Sequence, residues 1–114
     1  MTPDELAPPL NIMVERRGPW IVVLLSGELN FMSQADLERQ LSVLAAQEQP
    51  RICIDLGDVA FCDSSGIACL LRGCDAVQEH GGTLVLSRPG TVVSRMLVLL
   101  GVTSVLTVID ELPA

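Results

Sequence analysis

The chain has 114 residues, a net charge of −7, and is 49% hydrophobic but only 3% aromatic. That length makes one domain, which buries roughly two-thirds of its unfolded surface and needs neither metal nor disulfides to hold a core of Leu, Val, Ile and Ala. All seven basic residues are Arg; so acidic a surface repels phosphate backbones, arguing against direct nucleic-acid binding and for a partner with a basic face.

Met1 to Pro9 is polar and holds three of the seven prolines. It reads as a flexible tail, leaving residues 10–114 as the domain. It has neither the basic start nor the apolar run of a signal peptide, so a cytoplasmic location is expected. No apolar stretch is long enough to span a bilayer, so membrane insertion is not expected.

Leu10 to Arg17 alternates around Ile12 and Val14 as an edge strand does, and Arg17-Gly18-Pro19 turns the chain. Trp20 to Leu25 is unbroken and rich in β-formers, the pattern of a strand covered on both faces. Gly27 to Asn30 reads as a loop. Ser33-x-x-Asp36 opens a helix in the manner of a capping box; Leu37, Leu41 and Leu44 share one face, and Pro50 marks its end. Ile52 to Asp55 is a short buried strand, Leu56 to Cys62 a loop, and Ser64 to Glu79 a second helix that stops at Gly81-Gly82. Thr83 to Leu86 is another buried strand. A third helix carries Val92, Val93, Met96, Leu97 and Leu100 before Gly101, and Val105 to Ile109 is the last strand. Strands alternating with helices specify an α/β fold with a mostly parallel sheet, and right-handed crossovers stepping one way put the three helices on one face. The other face is then partly bare, with Trp20 or Arg51 available to cover it.

Asp63-Ser64-Ser65-Gly66 sits where a strand gives way to a helix, and unpaired backbone N–H groups with the positive end of the helix dipole favour an anion there. Local chemistry alone fits a simple N-cap. A cap needs one such residue, however, and here three stand in a row before a Gly that permits close approach to the backbone.

The block DLGDVAFCDSSGIACLL resembles the signature of STAS domains, specifically of anti-sigma factor antagonists. Ser26-Gly27-Glu28-Leu29-Asn30, with Ser33 beyond it, resembles the family's Gly-Glu-Leu-Asp segment and its capping residue. The resemblance runs from about Ile12 to Ile109. It implies a STAS-type domain of about five strands with the first antiparallel at an edge. It also implies a protein that, when unphosphorylated, binds an anti-sigma factor and frees a sigma factor for transcription. That anti-sigma factor is commonly a serine kinase, here expected to phosphorylate Ser65, with Ser64 as the fallback acceptor and a PP2C-type phosphatase as the reset. Glu28, Asn30, Asp63, Ser64, Gly66 and Ile67 are the expected partner-binding residues. The chain is expected to be a monomer or weak homodimer and to need no cofactor. The family usually has Asp where this chain has Asn30, which weakens the case for kinase phosphorylation relative to partner binding.

Other functions fit the residues less well. A serine hydrolase needs a base beside its nucleophile, but the single His80 lies fifteen residues along the helix from Ser65, about 22 Å at the α-helical rise. Asp55 ends a strand as the acceptor of a phosphoreceiver domain does, yet that site needs a lysine and the chain has none. The alternative within the fold is a small STAS subunit of a lipid-transport ABC ATPase complex. Cys53, Cys62, Cys69 and Cys74 match no zinc or redox spacing and read as small apolar residues. Cys62 is the expected exception: placed in a loop beside the helix start, its thiol should be exposed, lowered in pKa and reactive.

Overall fold

The computed structural model describes residues 10–113; the stretch Met1–Pro9, read above as a tail, lies outside them. Alternating and continuous apolar runs become five strands in one sheet, β1 (Asn11–Arg17), β2 (Trp20–Leu29), β3 (Arg51–Cys62), β4 (Thr83–Ser87) and β5 (Thr107–Ile109), in the order β1-β2-β3-β4-β5. β1 returns antiparallel on β2 through a turn in which Gly18 adopts φ 55°, and every later pairing is parallel. The helices α1 (Gln34–Ala45), α2 (Ser64–Glu79) and α3 (Thr91–Leu99) are the crossovers between the parallel strands.

Period-two alternation sends Ile21, Val23, Leu25, Ile52, Ile54, Leu56, Leu84 and Leu86 to the helical side. There they meet the helical stripes Leu37–Leu41, Ile67–Leu70–Val77 and Val93–Leu97 in one core. The opposite face carries a thinner layer, Val22, Cys53 and Val85, covered by Trp20, Leu24, Ile109 and Leu112. Trp20 does help to cover this face, and the Arg51 guanidinium lies 4.6 Å from its ring centroid. Leu112, beyond the last strand, is a cover that periodicity did not single out.

Three boundaries differ from the sequence reading. Gly27 to Leu29 and Leu56 to Cys62 are strand, not loop, because they pair with each other: Ser26 with Asp58, Gly27 with Val59, Glu28 with Phe61 and Leu29 with Cys62. Leu56-Gly57-Asp58 has turn composition, but cross-strand hydrogen bonds outweigh it; the misfit survives as a register shift after Leu24. The last strand begins at Thr107, not Val105, because the Val105 and Leu106 amides both donate to the Val102 carbonyl in a turn.

Asp55, at the end of the β3–β4 pairing, is buried. It accepts hydrogen bonds from Ser87 Oγ at 3.1 Å and from Arg88 Nε at 2.9 Å and its terminal nitrogen at 2.6 Å. Burial pushes this carboxyl up, but the Arg88 and Ser87 hydrogen bonds and the Arg88 charge outweigh it and hold the pKa below the ordinary carboxylate value. Asp55 is therefore a structural clamp between the middle of β3 and the end of β4.

Candidate functional site around the start of helix α2

The long β2–β3 ribbon carries the start of α2 up against the end of β2. The Asp63 amide donates to the Leu29 carbonyl at 3.2 Å. The extended backbone of Asp63 (φ −92°, ψ −176°) makes it the N-cap, and its carboxylate works in two directions. Oδ1 accepts from the Gly66 amide at 2.9 Å, while Oδ2 accepts from the Phe31 amide at 3.2 Å. One side chain thus caps α2 and also fixes the loop that follows β2.

That loop is ordered from within as well. Asn30 Oδ1 accepts from the Met32 and Ser33 amides at 3.0 and 3.1 Å, an Asx-type turn. Ser33 does not act as the capping-box residue expected of it: its hydroxyl makes no cap bond to α1, accepting instead from the Asn30 amide and donating to the Glu28 carbonyl at 2.9 Å. The hydroxyl is consumed in closing the turn, so α1 starts without a side-chain cap.

Of the residues singled out from the sequence, Ser64 is exposed, and Glu28, Asn30, Asp63 and Ser65 are half-buried around the same sheet edge. Gly66 and Ile67 lie beneath them: Ile67 belongs to the core. A side-chain carbon at Gly66 would come 2.6 Å from the Leu29 carbonyl oxygen and 2.7 Å from Cys62 Sγ. The close approach Gly66 allows is therefore by the protein's own strand.

Cys62 departs most from expectation. It is buried, and burial first, with the Asp63 charge and Cys69 next, pushes its thiol up to about 12. The reason is the extension of β3, which turns residue 62 inward where a loop would have left it outside. Cys53, Cys69 and Cys74 are also buried, reduced and raised in pKa, as the reading of small apolar residues requires.

The sequence reading missed Phe31 and Met32, which are 67% and 85% exposed on the loop tied to Asp63, and Phe61, which is 42% exposed on β3. An apolar pair between Asn30 and Ser33, in a segment otherwise built for a turn, was the available signal. Exposed apolar side chains on a loop whose backbone amides are pinned by hydrogen bonds are features of binding surfaces. Among the described residues no group of His, Cys, Asp and Glu is arranged to hold a metal ion, and no helix is long and apolar enough to cross a membrane.

A five-stranded sheet with three crossover helices and a capped Asp-Ser-Ser-Gly helix start at its carboxyl edge defines a STAS-type domain. A family model described as "Mlab, STAS domain" matches residues 12–108, and the chain belongs to that family. Among solved structures it is similar to an anti-sigma factor antagonist from Mycobacterium paratuberculosis, with 24% identity, a TM-score of 0.83, and coverage of 97% of this chain and 91% of that one. It is also similar to the anti-sigma factor antagonist SpoIIAA in its unphosphorylated form (20% identity, TM-score 0.75, 89% of this chain and 90% of that one). The phosphorylated form of the Bacillus cell fate determinant SpoIIAA matches with 19% identity, a TM-score of 0.68, and coverage of 89% and 93%. No curated protein sequence matches significantly.

Proposed function

We propose that this protein is an anti-sigma factor antagonist that binds an anti-sigma factor when unphosphorylated, frees a sigma factor, and is switched off by phosphate on Ser65. The observation that carries this reading is the two-armed Asp63 carboxylate. It joins the hydroxyl-bearing helix start to the exposed Phe31–Met32 loop, so a modifiable group and an apolar contact surface share one rigid mount. Ser64, the more exposed hydroxyl, is the fallback acceptor. The kinase is the anti-sigma factor itself, and a PP2C-type phosphatase restores the hydroxyl.

Phosphate adds about −1.5 to −2 charge at neutral pH. The helix N-terminus favours that charge and Asp63 opposes it, so the local terms partly offset and the fold persists. The penalty falls on the interface, where a hydrated dianion must be desolvated or held off the partner. About 3 kcal/mol there weakens binding more than a hundredfold. Ser65→Ala should stay bound to the cognate anti-sigma factor in the presence of ATP. Ser65→Glu should bind poorly yet melt near the wild-type temperature. Phe31→Ala and Met32→Ala should weaken binding with little change in stability. Normal ATP-dependent release of Ser65→Ala moves the acceptor to Ser64 or ends the phosphoswitch reading.

Asn30 supports a second reading, a STAS subunit docked on a lipid-transport ATPase. Its side chain is spent on the Met32 and Ser33 amides and brings no charge to a phosphoacceptor. Co-purification of an ABC-type ATPase from native cells, with no phosphate on Ser64 or Ser65 by mass spectrometry, would favour it.

A further inference from the structure

We propose that Asp63 relays phosphate on Ser65 to the Phe31–Met32 loop: its carboxylate lets go of the Phe31 amide when a dianion stands beside it. The inference rests on the reading of Ser65 as the acceptor, and adds how the charge reaches the apolar surface.

Residues 30–33 are tied down unevenly. Their turn bonds close locally. Asn30 Oδ1 accepts from the Met32 and Ser33 amides, the Asn30 carbonyl accepts from the Ser33 and Gln34 amides, and the Ser33 hydroxyl donates to the Glu28 carbonyl. Among the described residues, one hydrogen bond joins this loop to the start of α2: the Phe31 amide donates to Asp63 Oδ2 at 3.2 Å, across 32 residues of sequence. It is the weaker of the two bonds that the carboxylate accepts. The other, from the Gly66 amide, is 2.9 Å long and part-buried, whereas the bond from Phe31 is exposed.

Phosphate on Ser65 upsets this division. A charge of about −1.5 to −2 arrives two residues from a carboxylate already committed to two amides, and like charges so placed repel. The Ser64 and Ser65 amides have no partner within the helix, and with the positive end of its dipole they hold the dianion in place. The carboxylate is therefore the group that moves. It gives up the exposed bond, because water then satisfies the freed Phe31 amide. Giving up Gly66 instead would uncap α2 directly above Ile67 and Leu70 of the core. The loop keeps its own turn but loses its anchorage, so Phe31 and Met32 no longer stand in a fixed place. A partner must then order them on binding, which lowers affinity. Phosphate thus acts on the interface twice, by its own charge and by unpinning the apolar pair.

Amide hydrogen exchange, read residue by residue by NMR at pH 7, tests the relay. The samples are the wild type, the protein with phosphoserine installed at position 65, Asp63→Asn, and the two changes combined. Asparagine has one side-chain oxygen where aspartate has two, so Asp63→Asn keeps the helix cap and loses the tie to Phe31. Phe31 exchange should quicken about five- to tenfold, the net worth of one hydrogen bond, in Asp63→Asn and in the phosphoserine protein alike. Ile67 exchange should not change in either. Phosphoserine added to Asp63→Asn should add little, because the tie is already gone. Should Asp63→Asn melt early, Asp63→Ser, also a preferred cap with one oxygen, carries the same expectation. Unchanged or slower Phe31 exchange in the phosphoserine protein, unchanged exchange in Asp63→Asn, or a second full acceleration in the combined protein would each overturn the relay. No kinase is needed for these readings. Faster Phe31 exchange, with no phosphate on Ser65 in native cells, would uphold the relay and end the phosphoswitch reading. Partner release by phosphoserine with Phe31 exchange unchanged would overturn the relay and leave that reading standing.

Discussion

Gly66→Ala puts the packing beneath the candidate site to a direct test. The added carbon would lie 2.6 Å from the Leu29 carbonyl oxygen, 2.7 Å from Cys62 Sγ and 2.8 Å from Leu29 Cγ. None of the three can yield by swinging a flexible tip: one is backbone of a buried strand and the others are core side chains. Overpacking of this kind costs about 1–3 kcal/mol. Moving the helix start away to relieve it stretches the 2.9 Å bond from the Gly66 amide to Asp63, and loss of an N-cap costs about 1 kcal/mol more. Against this, Ala gains up to about 1 kcal/mol of helix propensity over Gly. The net expectation is a loss of about 2 kcal/mol, which for a domain of this size lowers Tm by roughly 6–12 °C. Circular-dichroism melts with urea titrations at pH 7 would measure it. Gly90→Ala is the control: Gly90 has φ −71° and nothing within 4 Å of an added carbon, so its change should stay below about 1 kcal/mol. If Gly66→Ala melts at or above the wild-type temperature, the helix start does not rest on Leu29, and the coupling of the Phe31–Met32 loop to α2 loses its support.

Asp55 predicts an acid limit. Its carboxyl is held below the ordinary value in the fold, so its contribution is complete above the unfolded pKa of about 3.9 and is lost as pH falls through the folded value. Asp55→Asn should lose about 1–2 kcal/mol at pH 7, a figure moderated by the half-exposed guanidinium, and should show a shallower fall in stability below pH 4; an acid limb as steep as the wild type's would refute the assignment. The cysteines predict slow chemistry: with all four buried and Cys62 raised to about 12, a thiol reagent at pH 8 should modify none quickly in the native state and all in urea. Rapid native labelling of Cys62 alone would place it outside the core.

Much of the fold was legible because its signals are local. The 3.6-residue stripes of α1 and α2, the unbroken β-forming runs at Trp20 and Ile52, and the Gly81-Gly82 stop each depend on residues within one element. So was the place of the candidate site, since Asp63-Ser64-Ser65 announces a helix start wherever the strand before it goes. What could not be read was any property set by pairing at a distance. Leu56-Gly57-Asp58 has the composition of a turn and becomes strand because β2 supplies hydrogen bonds from some thirty residues away in sequence. That one change of state carried others: it drew Cys62 into the core, and it brought Asp63 against the end of β2. Local pattern was enough to show which residues pack in the core and where hydroxyls stand at a helix start. Tertiary structure alone decided what Asp63 caps besides its own helix, and that Phe31 and Met32 stand beside it in water. A carboxylate's second oxygen finds its donor through the fold, and no local pattern encodes which one.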